Sequence, residues 1–338
     1  MQPAPRHLLL IAALLPLAAC GFNFQKQSVV LDRRILAMSV EPPEIIMDGS
    51  ALPSVQIRAL VVDPSHPAAP IPYEWRSCIP NLNLGPATVP AIGYDSISGR
   101  CKEDDETTLV PHDSAVLLGS PNPVNVQTVA AQQLGLAGTL GFYVEMYQQI
   151  QLRVDDAPAP IYGIKRLVLS SPFPAGREPN KTPHLLALTF DGQPWDASTP
   201  LKITPGKCAD DHKGTVSNTK KPGTDYLACW HLITPVFTDD QAEPYVRQAF
   251  SFDAEGKPTG SIIALNERLR FSWFTDDGEF SLETTAQPDG LGPQSFDPLS
   301  TKWYEPATPG TVSNLWVVVR DGRGGESWEL RQIEFAQP

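Results

Sequence analysis

The sequence predicts an all-β protein built as two sandwich domains. The first observation behind this is a succession of short runs rich in aliphatic, β-branched and aromatic residues, such as RILAMSV, VQIRALVV and YEWRSC early on and NLWVVVR and WELRQIEF late. Pro, Gly and Asp separate these runs, as in sandwiches whose short strands end in turns. The second is the scarcity of long stretches with helical period, together with 35 prolines, which suit strand ends, edges and loops but not helix interiors. The third is length: 338 residues leave room for two domains at roughly 100 to 200 residues each.

The first 19 residues are not part of that fold. Arg6 and His7 form a weakly basic start, and the apolar stretch 8–17 is shorter than the roughly 20 residues of a membrane-spanning helix. Leu17, Ala18, Ala19 and Cys20 then resemble a bacterial lipobox. That resemblance implies cleavage before Cys20 and acylation of its thiol with diacylglycerol. Gly21 stands where an Asp would resemble an inner-membrane retention signal, so the outer membrane is the expected location. Removing residues 1–19 leaves 338 − 19 = 319 residues, and loss of Arg6 moves the formal charge from −12 to −13. Such acidity argues against a nucleic-acid partner and against a polybasic hold on anionic lipid. Membrane attachment is expected through the lipid.

Residues 20–33 read as a lipidated tether. The first sandwich is expected over 34–156, a Pro-rich linker at 157–160 within VDDAPAPIYG, and the second sandwich over 161–338. Alternating Ala and Pro favour an extended, stiff connector. A loose repeat is expected, each half holding an insertion between β-rich ends. The exceptions to the β pattern are NVQTVAAQQLG, where Val126, Val129, Ala130 and Leu134 share a helical face, and a short turn of helix from Asp239.

With Cys20 assigned to lipid, Cys78, Cys101, Cys208 and Cys229 remain. An even number in an exported chain predicts two bridges, and their proximity in sequence suggests Cys78 with Cys101 and Cys208 with Cys229, though three connectivities are open. The competing reading is zinc held by Cys208, His212, Cys229 and His231, but these spacings do not follow the usual metal-knuckle pattern. The acidic run CKEDDE alternates its carboxylates across an extended backbone, which solvates a loop rather than building a cage. No metal or other cofactor is expected.

The chain has no G-x-S-x-G elbow, and both bridges would leave no free thiol as nucleophile. No catalytic residue is assigned. Trp195 and Trp230, beside turns or the bridged segment, are the candidates for an exposed contact surface, whereas Trp75 and Trp273 read as core. In LWVVVRDGRGGESWEL the alternating apolar run predicts a strand buried on both faces. Gly322, Gly324 and Gly325 then make a hairpin turn, with Arg323 outside as a further binding candidate and Asp321 bonding the turn amides. No helix follows that would make this loop a phosphate cradle. Trp328 and Leu330 share one parity and Ile333 and Phe335 the other, which predicts a bulge near Arg331 or Gln332. TDDGEF reads as a second hairpin turn.

FSWFTDDGEF, KWYEPATPG and LWVVVRDGRGG together resemble the closing half of Ig-like or PKD-like sandwiches in exported bacterial lipoproteins that carry a lipobox, local disulfides and a terminal R-D-x-R-G-G hairpin. The resemblance covers about 70 residues from Leu269 onward. It implies two Ig-like sandwiches and an envelope location, and it brings no catalytic residues. The expected function is a membrane-anchored, non-enzymatic binding or structural module with an envelope protein or glycan partner. The alternatives are an accessory subunit of a secretion or assembly complex and a hydrolase acting on envelope polymer.

Overall fold

The computed structural model describes residues 26–48, 53–67, 70–78, 81–83, 106–108, 116–119, 143, 145–155, 159–252, 258–287 and 299–336. Among them the protein is all-β, and the only helical pieces are single 3-10 turns at Asp210–His212 and Asp239–Gln241. The helix expected at 125–135, the acidic run at 101–105, Cys20 and Cys101 lie outside the described residues. The pairing of Cys78 with Cys101 is therefore not placed.

The first body holds β1 (Arg34–Glu41), β2 (Glu44–Ile46), β3 (Val55–Val62), β4 (Tyr73–Cys78), β5 (Asn81–Asn83), β6 (Glu106–Thr108), β7 (Val116–Gly119), β8 (Glu145–Val154) and β9 (Ile161–Ser170). One sheet runs β1-β3-β7 and the other β2-β9-β8-β4-β6. Alternation along β3 puts Val55, Ile57 and Ala59 on one face, where they meet Trp75, Ile150, Leu152, Leu167 and Leu169 from the opposing sheet.

The second body holds β10 (Ala187–Phe190), β11 (Gln193–Trp195), β12 (Leu201–Ile203), β13 (Lys213–Ser217), β14 (Asp225–Val236), β15 (Pro244–Phe252), β16 (Pro258–Asn266), β17 (Arg270–Thr275), β18 (Glu279–Phe280), β19 (Thr284–Ala286), β20 (Thr301–Tyr304), β21 (Val312–Arg320) and β22 (Glu326–Phe335). Its core lies between sheet β11-β10-β14-β20-β18 and sheet β12-β22-β21-β17-β19, with Trp195, Trp273, Trp303, Phe271 and Phe280 at its centre. The loose repeat takes a definite form. The last strand of each body, β9 or β22, carries a short earlier strand, β2 or β12, running parallel on its outer edge.

The boundary between the bodies is not at 157–160. β8 and β9 pair antiparallel from Glu145↔Ser170 to Val154↔Ile161, so the strands on either side of that position are neighbours in one sheet of the first body. The connector is 171–184, whose four prolines (Pro172, Pro174, Pro179 and Pro183) keep it out of the sheets and which turns once at 174–177, where the Arg177 N–H donates to the Pro174 carbonyl at 3.3 Å.

Two local expectations are also corrected. β21 and β22 pair without interruption from Val312↔Glu334 to Arg320↔Glu326, so there is no bulge at Arg331 or Gln332. The outer parity of β22 is apolar for another reason: Trp328 packs under Arg58 of the first body, 5.3 Å from guanidinium carbon to ring centre, while Leu330 stays exposed. The turn at 276–278 is not a hairpin. β17 pairs with β21, whereas β18 pairs with β20 in the facing sheet, so the chain crosses the sandwich there.

Candidate functional site

The Gly-rich loop that stood out in the sequence sits in the seam between the two bodies. Asp321 Oδ1 accepts the backbone N–H groups of Arg323, Gly324 and Gly325 at 2.6, 3.0 and 3.0 Å, which organises the turn as its sequence predicts. Asp321 Oδ2 accepts from Asn180 Nδ2 at 2.8 Å and so ties the turn to the connector. A Cβ on Gly325 would collide with Asp321 Oδ2 and fall 2.8 Å from the Lys181 carbonyl, so the absence of a side chain lets the loop lie against the connector.

Arg323 is not on the outside. Its Nη2 donates to Glu44 Oε2 at 3.0 Å and its Nη1 to Glu267 Oε1 at 2.8 Å, and its guanidinium lies 4.6 Å from the Tyr245 ring centre. Glu44, on β2 of the first body, is almost fully buried and is saturated with donors. Its Oε1 accepts from Ser170 Oγ at 2.5 Å and Arg177 Nη1 at 2.8 Å, and its Oε2 also accepts the Asn180 N–H at 2.7 Å. Lys165 of β9 donates to Glu326 Oε2 of β22 at 2.8 Å with both side chains buried. Buried charges persist when each is paired and hydrogen-bonded, a condition these residues meet.

Electrostatics in the seam are tense around Glu267. Burial and the neighbouring Asp321 charge push its carboxyl up to about 7, against the downward pull of Arg323. Asp321 is likewise raised by burial, partly offset by the Asn180 and Arg323 hydrogen bonds. Beside the charges lies an apolar patch of Val30, Leu36, Val62 and Trp316. It covers the outer face of β21, which is why that strand is apolar on both faces.

The remaining predicted residues fall elsewhere. Trp195 is 3% exposed and packs edge-on to Phe190, 5.2 Å between ring centres, because β11 folds back on β10 through the two-residue Asp191-Gly192 turn. It belongs to the core and not to a contact surface. Trp230 is half-buried beside the bridged segment. His212 stacks on it with ring centres 4.0 Å apart, and Lys302 Nζ lies 3.8 Å from its centre. Two groups this close to one ring centre cannot share a face, so both faces of Trp230 are covered by the protein's own side chains. Trp75 and Trp273 are core residues, as expected.

Cys208 and Cys229 form a disulfide with a Cα–Cα distance of 5.9 Å. With both thiols used, His231 turns inward instead. Its Nδ1 is 2.7 Å from Asp191 Oδ2 and its Nε2 is 3.2 Å from Glu305 Oε1. Burial works to lower its pKa, but the hydrogen bonds to Glu305 and Asp191 and the charges of these two carboxylates outweigh burial and raise it. The trio resembles a clamp between β14, the Asp191 turn and the end of β20, and among the described residues no hydroxyl or thiol nucleophile is hydrogen-bonded to His231. Among the described residues no group of three or more His, Cys, Asp or Glu is arranged to hold a metal ion. No described helix is long and apolar enough to cross a membrane.

A second locus gathers around the start of the described chain. Ser28–Val30 lie along β17: the Val30 N–H donates to the Thr275 carbonyl at 2.7 Å and the Thr275 N–H to the Ser28 carbonyl at 2.8 Å. Lys26 Nζ is 2.7 Å from Glu279 Oε2, and Glu279 Oε1 accepts the Thr219 N–H at 2.7 Å from the tip of the β13–β14 hairpin. A cavity of about 260 Å³ opens here, lined by Val29, Tyr226, Asp277, Glu279, Ala307 and Thr308 among others.

The loop is legible in the sequence, but its partners are not. Glu44, Arg177, Asn180 and Glu267 share no motif with Arg323, and Glu44 is 279 positions away. The usable signal was charge embedded in apolar strand runs, as with Glu44 in EPPEIIM and Glu267 in ALNERLRF. No protein-family model matches the chain, and no curated protein matches it either.

Proposed function

We propose that the protein is a membrane-anchored, non-enzymatic lipoprotein of the cell envelope, held on the outer membrane through Cys20 and acting as a binding or structural module. The observation that carries this reading is the course of the chain after the lipobox. Only six positions downstream of Cys20, Lys26 grips Glu279, and Val29 and Val30 are fully buried along β17. A lipid on Cys20 would therefore pull on a seated strand of the second sandwich. The Cys208–Cys229 bridge is at home in an oxidising compartment. The Arg323–Glu44–Glu267 network makes the two sandwiches one unit, which suits a module that bears load or presents a surface.

The test is cell fractionation with mass measurement of the N-terminal peptide. Acylated Cys20 in the outer-membrane fraction, shifted to the soluble fraction by Cys20→Ala, is the expected result. Recovery of the natural chain as soluble protein with an unmodified Cys20 would sink the reading.

One observation favours the more specific reading of an accessory subunit in an envelope assembly. β15 and β16 pair over nine positions, Pro244↔Asn266 to Phe252↔Pro258, and among the described strands they pair only with each other. Ile262 and Ile263 are each 43% exposed. A two-stranded ribbon is marginal in water alone, and its free edges suit strand addition by a partner. A photo-crosslinking residue at Ile263 should capture one reproducible envelope protein in cells, and capture of none speaks against this version.

A further inference from the structure

We propose that the end of the second sandwich formed by the β13–β14 hairpin tip is the surface that rests on the phosphate headgroups of the membrane, with Lys220 and Lys221 at the contact. This rests on the lipid-anchored reading of Cys20 and goes beyond it by assigning which face of the protein meets the bilayer.

Reach sets the first limit. Six residues at no more than about 3.6 Å each span at most roughly 20 Å, so an acylated Cys20 keeps Lys26 within that distance of the headgroups. Lys26 is no free end. Its ammonium is held by Glu279, and the residues that follow are fixed to Thr275 by two backbone hydrogen bonds, with Ser28 Oγ donating to Glu283 at 3.1 Å. The tether thus leaves the protein from the second body, beside the 276–278 crossing.

The hairpin tip is pinned to the same exit. Glu279 accepts the Thr219 N–H with one oxygen while the other meets Lys26, and Lys220 Nζ donates to Asp277 at 2.7 Å. Wherever the tether enters the bilayer, the tip comes with it. The pairs Lys26–Glu279 and Lys220–Asp277 neutralise each other. Asp225, lower on the hairpin, is occupied by the Ser217 hydroxyl at 2.8 Å. Among the described residues that leaves the ammonium of Lys221, on an exposed tip, for an external anion.

The same hairpin carries Leu227, 69% exposed, the most exposed of the large apolar side chains on the described surface. An apolar side chain on the same hairpin as two lysines suits the headgroup boundary, where ammonium groups meet phosphate and an aliphatic side chain escapes water. The affinity would come from the lipid, and the tip would set orientation. An acidic chain of formal charge −12 needs such a local exception to lie against a phosphate surface.

The experiment is amine footprinting of the full lipidated chain in vesicles of phosphatidylethanolamine and phosphatidylglycerol. The soluble Cys20→Ala chain, mixed with the same vesicles, is the reference. Flotation and the mass of the N-terminal peptide are read in the same sample. Lys220 and Lys221 should label several-fold more slowly in the anchored chain, while Lys181 and Lys202, 66% and 74% exposed, keep their reference rates. If the acylated chain floats but Lys221 labels at its reference rate, or Lys181 and Lys202 are the protected residues, the orientation is wrong and the anchor reading stands. If the chain neither floats nor carries acyl mass, the anchor reading fails and the orientation falls with it.

Discussion

Arg323 Nη2 and Glu44 Oε2 meet at 3.0 Å across the seam between the two sandwiches, although 279 positions separate them in sequence. The contact couples the last hairpin of the chain to one of its first strands. Glu44 is the more buried partner, and it is the point where the first body, the connector and the second body share hydrogen bonds. Removing Arg323 takes from Glu267 the cation it is paired with in a desolvated site, while Glu44 keeps Arg177, and breaking a buried pair costs about 3 to 5 kcal/mol. Arg323→Ala should lower the denaturation midpoint accordingly. Arg323→Lys should recover only part, because one ammonium cannot reproduce the forked donation to two carboxylates. A midpoint within experimental error of the natural protein would show that the seam bears little of the stability.

The pH dependence of that seam has a definite sign. Glu267 titrates at about 7 in the folded protein against 4.5 when free, so the folded state holds this proton more tightly than the unfolded state. Its contribution therefore turns unfavourable as pH rises from 4.5, and the loss is complete above about 7. Denaturation midpoints should fall across this window, and Glu267→Gln should flatten the fall. A midpoint rising with pH between these limits in the natural protein, unchanged by Glu267→Gln, would contradict the assignment.

His231 acts in the same direction by the opposite chemistry. Its pKa is raised above 6.5, so its pairing with Glu305 and Asp191 stabilises fully below 6.5 and fades as pH climbs through the higher folded value. In an NMR titration the His231 ring should titrate above 6.5, and Glu305→Gln should bring the midpoint down. A midpoint below 6.5 would mean that burial, not the two carboxylates, governs the ring.

Much of the fold was legible because strand patterning depends on near neighbours. The buried alternation of Val55, Ile57 and Ala59 and the two-faced apolar run of β21 can be read directly from residue order. What failed was whatever depended on the partner across the gap. An Asp-Gly pair supplies the same left-handed backbone to a hairpin and to a sheet-crossing corner, so Asp277-Gly278 could not reveal which it served. Trp328 looked like a parity shift because its cover, Arg58, belongs to the other body. Arg323 looked exposed because turn chemistry says nothing of the two glutamates that draw it in. Trp195 was misplaced because the Asp191-Gly192 turn, not the loop after it, decides where that ring goes.

Gly278 tests the corner. Its φ of +78° is the left-handed region, and a Cβ there would sit 2.5 Å from the Tyr304 carbonyl oxygen and 2.6 Å from Trp303 Nε1. Trp303 is fully buried, so its ring cannot step aside. Gly278→Ala should destabilise by about 2 kcal/mol or more, since backbone strain and overpacking each cost about 1 to 3 kcal/mol. Gly223 also has a positive φ but no atom within 4 Å of its Cβ position. Gly223→Ala should cost less, only the strain of the turn, and equal losses in the two variants would remove packing from the explanation.

The disulfide offers a prediction about place as well as amount. Cys208 and Cys229 are 21 positions apart, and closing a loop of this size stabilises by about 3 kcal/mol in the chain-entropy view. The bridged segment contains the β13–β14 pairing, which fixes Lys213 opposite Cys229 without the bridge. What the bridge alone holds is the stretch before β13, where Asp210–His212 form a 3-10 turn with no buried residue. His212 then depends on the bridge for its seat on Trp230. In Cys208→Ser/Cys229→Ser, amide exchange should accelerate most over 207–212 and Trp230 fluorescence should shift toward that of a wetter ring. Val317–Val319, in the middle of β21, should exchange faster only to the extent that global stability falls. Uniform acceleration across both regions would mean that the bridge braces the whole sandwich, and unchanged exchange at 207–212 would mean that the turn holds itself.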